Sequence, residues 1–202
     1  MAKGYKDMTR TAETQRSTKE TRITVKINID GTGDYDIDTG IAFFDHMLTL
    51  FAVHGFFDLR IQAKGDIEVD FHHTVEDVGI VLGDVISRAV GDKKGIVRYG
   101  LAETPMDEAL CRATVDLSGR PYLVYELPEG LLPETGFSPH LAKEFFRALA
   151  NSAGMNLHIR VPYGENNHHI TESIFKSVGR ALDQATGFDS RIAGVQSSKG
   201  AL

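Results

Sequence analysis

From Thr21 the chain alternates. In TRITVKINID, Ile23, Val25, Ile27 and Ile29 fall on one side, the two-residue period of a half-buried strand. GTGD then turns the chain. In IAFFDHMLTLFAVHG the period lengthens, with Phe44, Leu48, Phe51 and Ala52 at helical spacing and Gly55 as the stop. FDLRIQAKGDIEVDF predicts two short strands around KGD. HTVEDVGIVLGDVISRAVG predicts a second helix that packs through Val75, Val78, Leu82, Val85 and Ile86 and ends near Gly91.

The pattern then begins again. CRATVDLSGRPYLVYEL predicts a hairpin of two strands, and PHLAKEFFRALANSAG a helix closed by Gly154, with His140 as its cap. MNLHIRVPYG predicts a strand and HITESIFKSVGRALDQATG a last helix. The fold class is α+β, with two duplicated strand/helix halves whose sheets pack on a central helical layer. Residues 1–19 read as a polar, mobile tail, 20–95 as the first half, 96–190 as the second and 191–202 as a C-terminal tail. Together they form one compact domain.

The duplication can be tested by superposition. With a shift of 98, residues 44–62 lie over 142–160, so that Ala52 meets Ala150, Leu59 meets Leu157, Ile61 meets Ile159 and His46 meets Glu144. With a shift of 96, HHTVE at 72–76 coincides with HHITE at 168–172. The duplication therefore pairs metal-capable residues with metal-capable residues.

Residues four apart share a helix face, so His72 and Glu76 can grip one ion, and His168 and Glu172 another. His73 and His169 point about 100° away, which leaves each free to serve the other ion. His46 and Glu144 complete eight candidate ligands for two ions. Imidazole and carboxylate without thiolate suit Mn, Fe, Co or Zn. Glu144 in place of a histidine tilts the choice toward a harder ion such as Mn²⁺.

Composition narrows the setting. At 202 residues the chain can bury a sizeable core. A net charge of −6 does not favour a nucleic-acid partner. No apolar run reaches the roughly 20 residues of a membrane span, and the opening segment lacks the apolar stretch of a secretory signal. Cys111, the only cysteine, sits in a core strand pattern and fits a reducing compartment. These features point to the cytoplasm. Arg98, Arg120 in SGRP, and Ser197, Ser198 and Lys199 near the C-terminus could together cradle a phosphate. Lys176, four residues beyond Glu172, shares its helix face, and His54 could face the same site.

From residues alone the chain is a dinuclear metalloenzyme for a small anionic substrate. A metal-dependent phosphate-ester hydrolase and a non-enzymatic metal-binding assembly protein remain as alternatives.

TGIAFFDHML, DFHHTVEDVGIVLG, PMDEAL, VDLSGRPYL, NNHHITESIFK and SSKG jointly resemble the imidazoleglycerol-phosphate dehydratase family, from about Glu20 to Lys199. The resemblance implies dehydration of imidazole glycerol phosphate to imidazole acetol phosphate in histidine biosynthesis, with Mn²⁺ at two ions per subunit. It also implies a fold like domain 2 of ribosomal protein S5 and a hollow particle of 24 subunits. The ligands it implies are His46, His72, His73, Glu76, His168, His169 and Glu172. The eighth position, a histidine in the family pattern, is Glu144 here. The implied substrate contacts are Glu20, His54, Arg98, Arg120, Lys176, Ser197, Ser198 and Lys199, joined by the ligands His46, His72 and His168. Of the carboxylates, Glu20 is the expected acid/base and Glu172 the second choice, because a committed ligand makes a poorer base.

Overall fold

A computed structural model describes residues 10–131 and 136–202. The first half runs β1 (Thr11–Ser17), β2 (Thr21–Asn28), β3 (Tyr35–Asp38), α1 (Ala42–His54), β4 (Asp58–Gly65) and α2 (His72–Val90). The second runs β5 (Tyr99–Met106), β6 (Ala109–Asp116), β7 (Tyr122–Glu126), α3 (Pro139–Ala153), β8 (Asn156–Tyr163) and α4 (Asn167–Thr186). Each half folds its strands into one four-stranded sheet, and the orders correspond: β1-β2-β4-β3 and β5-β6-β8-β7.

Four expectations are corrected, the last at the start of α3. Of the tail expected over 1–19, residues 1–9 lie outside the described residues, and residues 11–17 form β1, paired along its whole length with β2. The strand buries few apolar side chains. Polar contacts seat it on α2: Thr14 donates to Asp84 at 2.8 Å and Arg16 to Asp77 at 3.2 Å. The two short strands around KGD are one strand, β4, after which the chain turns, the Val69 amide donating to the Asp66 carbonyl at 2.8 Å. The expected hairpin of β6 with β7 does not exist. β8 lies between them, antiparallel to β6 and parallel to β7. A helix separates β7 from β8, so the returning chain can insert where a tight turn would have forced pairing.

The four helices form the layer between the sheets. α2 packs on its own sheet and on α3, while α4 packs on its own sheet and on α1. Each half thus lays its second helix against the first helix of the other half. The same residues make both crossings. A Cβ added at Gly83 would lie 2.7 Å from the Leu149 carbonyl oxygen, and one at Gly179, its equivalent 96 residues on, 2.6 Å from that of Phe51. Only glycine lets the backbones approach this closely. Phe44, Phe145 and Phe175 then tie three helices together, with ring centroids 5.3 and 5.4 Å apart in sequence. All three are fully buried, worth about 1.5–3 kcal/mol each. Cys111 lies in this core.

At its C-cap α3 is closed by Gly154 in the left-handed conformation. Its N-cap is Ser138, whose hydroxyl accepts from the Leu141 amide, with Pro139 in the first turn; His140 is not the cap. No helix among the described residues is long and apolar enough to cross a membrane.

Candidate active site

Both HHxxE words open helices. The Asp70 carboxylate accepts the His72 amide at 2.8 Å, and the Asn166 side chain, 96 residues on, accepts the His168 amide at 2.8 Å. An Asx residue two positions earlier thus orients each first turn. Along the helix the i,i+4 spacing acts as expected. His72 Nε2 lies 3.6 Å from Glu76 and His168 Nε2 3.5 Å from Glu172.

The helix exchange supplies the third member of each group. α1 brings His46 to His168 and Glu172, and α3 brings Glu144 to His72 and Glu76, with ligand atoms in each trio within 4.8 Å of one another. Donors at about 2.1 Å around one ion lie no more than about 4.2 Å apart, so each trio closes on an ion with small side-chain rotations. The donors fit a divalent metal by chemistry and by spacing.

His73 and His169 stand apart from both trios. His73 Nδ1 lies 3.1 Å from Asp66 and 3.9 Å from Glu20, and Asp66 raises its pKa. His169 Nδ1 lies 2.6 Å from Glu108, which raises its pKa and is itself held down to about 2 by His169 and by the Asn166 and Glu165 amides. Within one chain, the expected exchange of these two histidines between the ions does not occur.

Glu172 is buried, which opposes ionisation. The Lys176 ammonium at 2.9 Å, with His46 and His168, outweighs that and holds its pKa below the ordinary range. His54 lies near the same helix, its pKa lowered by burial and by the Lys176 and Arg180 charges. Lys176 therefore sits beside the His46 trio, and His54 lies within range of its charge.

The remaining basic residues gather at the other end of α4. Arg98, buried and with φ of 74°, donates to Asp116 at 2.7 Å and to the Gln196 carbonyl at 2.6 Å; its amide donates to the Ala185 carbonyl. Val195 bridges to Lys94, which lays the segment carrying Ser197, Ser198 and Lys199 along this edge. Arg120 is exposed in the adjoining turn, where Gly119 meets Lys93 and Leu202.

Sequence reasoning missed Arg147, which contacts Glu144 and lies 3.9 Å from Glu76, and Glu108. A signal existed for each. Arg147 lies three residues beyond Glu144, and Glu108 falls on Glu20 when β1–β2 is laid over β5–β6 with a shift of 88.

Two imidazole–carboxylate trios, each bridging the halves of a duplicated α+β fold, define a candidate metalloenzyme. The family model for imidazoleglycerol-phosphate dehydratase matches residues 39–182, and the chain belongs to that family of hydro-lyases. It is 62% identical over 195 residues to the imidazoleglycerol-phosphate dehydratase of Desulfosudis oleivorans, covering 96% of this chain and 100% of that one. To the Trichlorobacter lovleyi protein it is 60% identical over 197 residues, with the same coverage. Among solved structures, the Staphylococcus aureus enzyme is 40% identical with a TM-score of 0.79, over 89% of this chain and 99% of that one. The Pyrococcus furiosus enzyme is 39% identical with a TM-score of 0.80, over 94% and 100%.

Proposed function

We infer that this chain dehydrates imidazole glycerol phosphate to imidazole acetol phosphate in cytoplasmic histidine biosynthesis, using two Mn²⁺ ions per subunit. The observation that carries the reading is the pair of trios formed across the two halves of a chain of this family. When bound, such ions would supply Lewis-acid polarisation of the substrate's ring nitrogen and hydroxyl.

The chain's own groups divide the rest of the work. The reaction removes hydroxide from the carbon attached to the ring and a proton from the next carbon, and the enol so formed becomes the ketone. A carboxylate can take that proton. Glu172 is engaged by Lys176 at 2.9 Å and belongs to a trio, which makes it a poor base. Glu108 is locked to His169 and two backbone amides. Glu20, its equivalent in the first half, is exposed and only loosely approached by His73 at 3.9 Å, so it is the carboxylate free to act. His54 and Lys176 would hold the substrate beside the ions, and Arg98, Arg120, Ser197, Ser198 and Lys199 would receive its phosphate.

These two groups of residues lie at opposite ends of α4. From Glu172 to Ala185 the helix rises about 20 Å, at 1.5 Å per residue, which exceeds the length of so small a substrate. On this reading a complete site needs ions from one subunit and the phosphate cradle of another, and His73 and His169, which join neither trio within the chain, would serve the ions of a neighbouring subunit. This supports self-association, with the 24-subunit particle as the form proposed.

The test is incubation of the chelated protein with imidazole glycerol phosphate, with and without added Mn²⁺, following the acetol product. Product only with Mn²⁺ is expected. Release of inorganic phosphate instead would establish the hydrolase alternative. Glu20→Gln, with its metal content confirmed, is expected to lose about 10²- to 10⁴-fold in turnover.

A further inference from the structure

The duplication supplies its own control, since each residue of one trio has a counterpart in the other. Glu76 corresponds to Glu172 and His72 to His168, but Glu144 corresponds to His46. One trio thus offers two imidazoles and one carboxylate, the other one imidazole and two carboxylates. Any further donor that completes each set leaves this difference in place.

The neighbouring cations differ as well. Lys176 lies against Glu172, and its counterpart 96 residues earlier is Ile80. Arg147 lies against Glu144 and 3.9 Å from Glu76, and its counterpart 98 residues earlier is Thr49. Side-chain charges in the first neighbourhood sum to zero with neutral imidazoles. In the second they sum to −1. Arg147 is half exposed, so its guanidinium can swing into solvent without leaving a buried charge unpaired.

We propose that the trios are inequivalent ion sites. His72, Glu76 and Glu144 form an oxygen-rich site that retains hard ions such as Mn²⁺, with Arg147 as a tethered cation competing for both carboxylates. His46, His168 and Glu172 form a nitrogen-rich site that exchanges Mn²⁺ for Zn²⁺ more readily. The physical basis is the preference of imidazole for later, softer first-row ions and of carboxylate for harder ones. The inference rests on the two-ion reading above.

Free Mn²⁺, counted by its electron paramagnetic resonance signal during titration of the full-length chelated protein, reports binding without reference to turnover. Two Mn²⁺ per chain are expected, with Zn²⁺ displacing one at clearly lower concentration than the other. Arg147→Gln should tighten one of the two Mn²⁺ sites about three- to tenfold, the worth of one or two exposed ion pairs. Glu144→His should bring the two Zn²⁺ displacement steps together. Parallel displacement of both ions in the unaltered protein, or unchanged Mn²⁺ affinities in Arg147→Gln, would overturn the inequivalence while leaving the two-ion reading intact. Failure to bind any Mn²⁺ would overturn both.

Discussion

At the scale of single residues, Asp58 shows how one carboxylate can organise a turn. Its oxygens accept the amides of Thr32 at 2.8 Å and Asp34 at 3.2 Å, and the Asn28 side chain at 3.1 Å. The Thr32 amide, against slight burial and with the help of Asp34 and Asn28, holds its pKa below the ordinary range. A carboxylate whose pKa falls on folding stabilises the fold above its unfolded value, near pH 4, and loses that contribution as pH falls through the folded value. Asp58→Ala is therefore expected to cost about 1–2 kcal/mol near neutral pH in urea unfolding, with the gap from the unaltered protein narrowing below pH 4. A gap independent of pH would show that the lost contacts do not depend on the charge. Residues of this kind were legible where their partners are close in sequence. The HHxxE words announced His72, Glu76, His168 and Glu172 because helical spacing alone brings them together. Arg147 and Glu108 were legible only in part: helical spacing sets Arg147 beside Glu144 and the repeat sets Glu108 opposite Glu20, but their contacts with Glu76 and His169 are made by tertiary packing.

At the scale of elements, helices and central strands were read from their periods, and so was the edge strand β7, whereas the edge strands β1, β3 and β5 were not. β5 buries Gly100 and Ala102 and exposes Tyr99 and Leu101, so its larger apolar residues lie on the outer face and the usual signal is inverted. β1 offers no apolar face, and β3 is four residues long. Pairing was also misread, because alternation identifies a strand but not its neighbour. That β6 pairs with β8 is decided by the helix between them in the chain. The crossings of α2 with α3 and of α4 with α1 rest on glycine, and each can be disturbed separately. Gly83→Ala and Gly179→Ala should each cost about 1–3 kcal/mol by overpacking, lowering the melting temperature by about 2–4 °C per kcal/mol. Gly83→Ala should also weaken ion binding at the His72 trio more than at the His46 trio, and Gly179→Ala the reverse. Equal loss at both sites in each variant would mean that the crossings are not independent.

At the scale of the whole molecule, the proposed division of the site between subunits couples ions to assembly. Ligands that bind only the associated form shift the equilibrium toward it. Removing metal with a chelator is expected to produce smaller oligomers in sedimentation velocity, reversed by Mn²⁺, and an unchanged sedimentation coefficient would count against that coupling. The crossed arrangement of the helices has one more consequence, for descent. A half-length ancestor could have formed both trios only by pairing two identical chains about a two-fold axis, and every substitution would then have altered both trios at once. Joining the copies end to end would lift that constraint and leave the histidine at position 46 and the glutamate at position 144 free to differ.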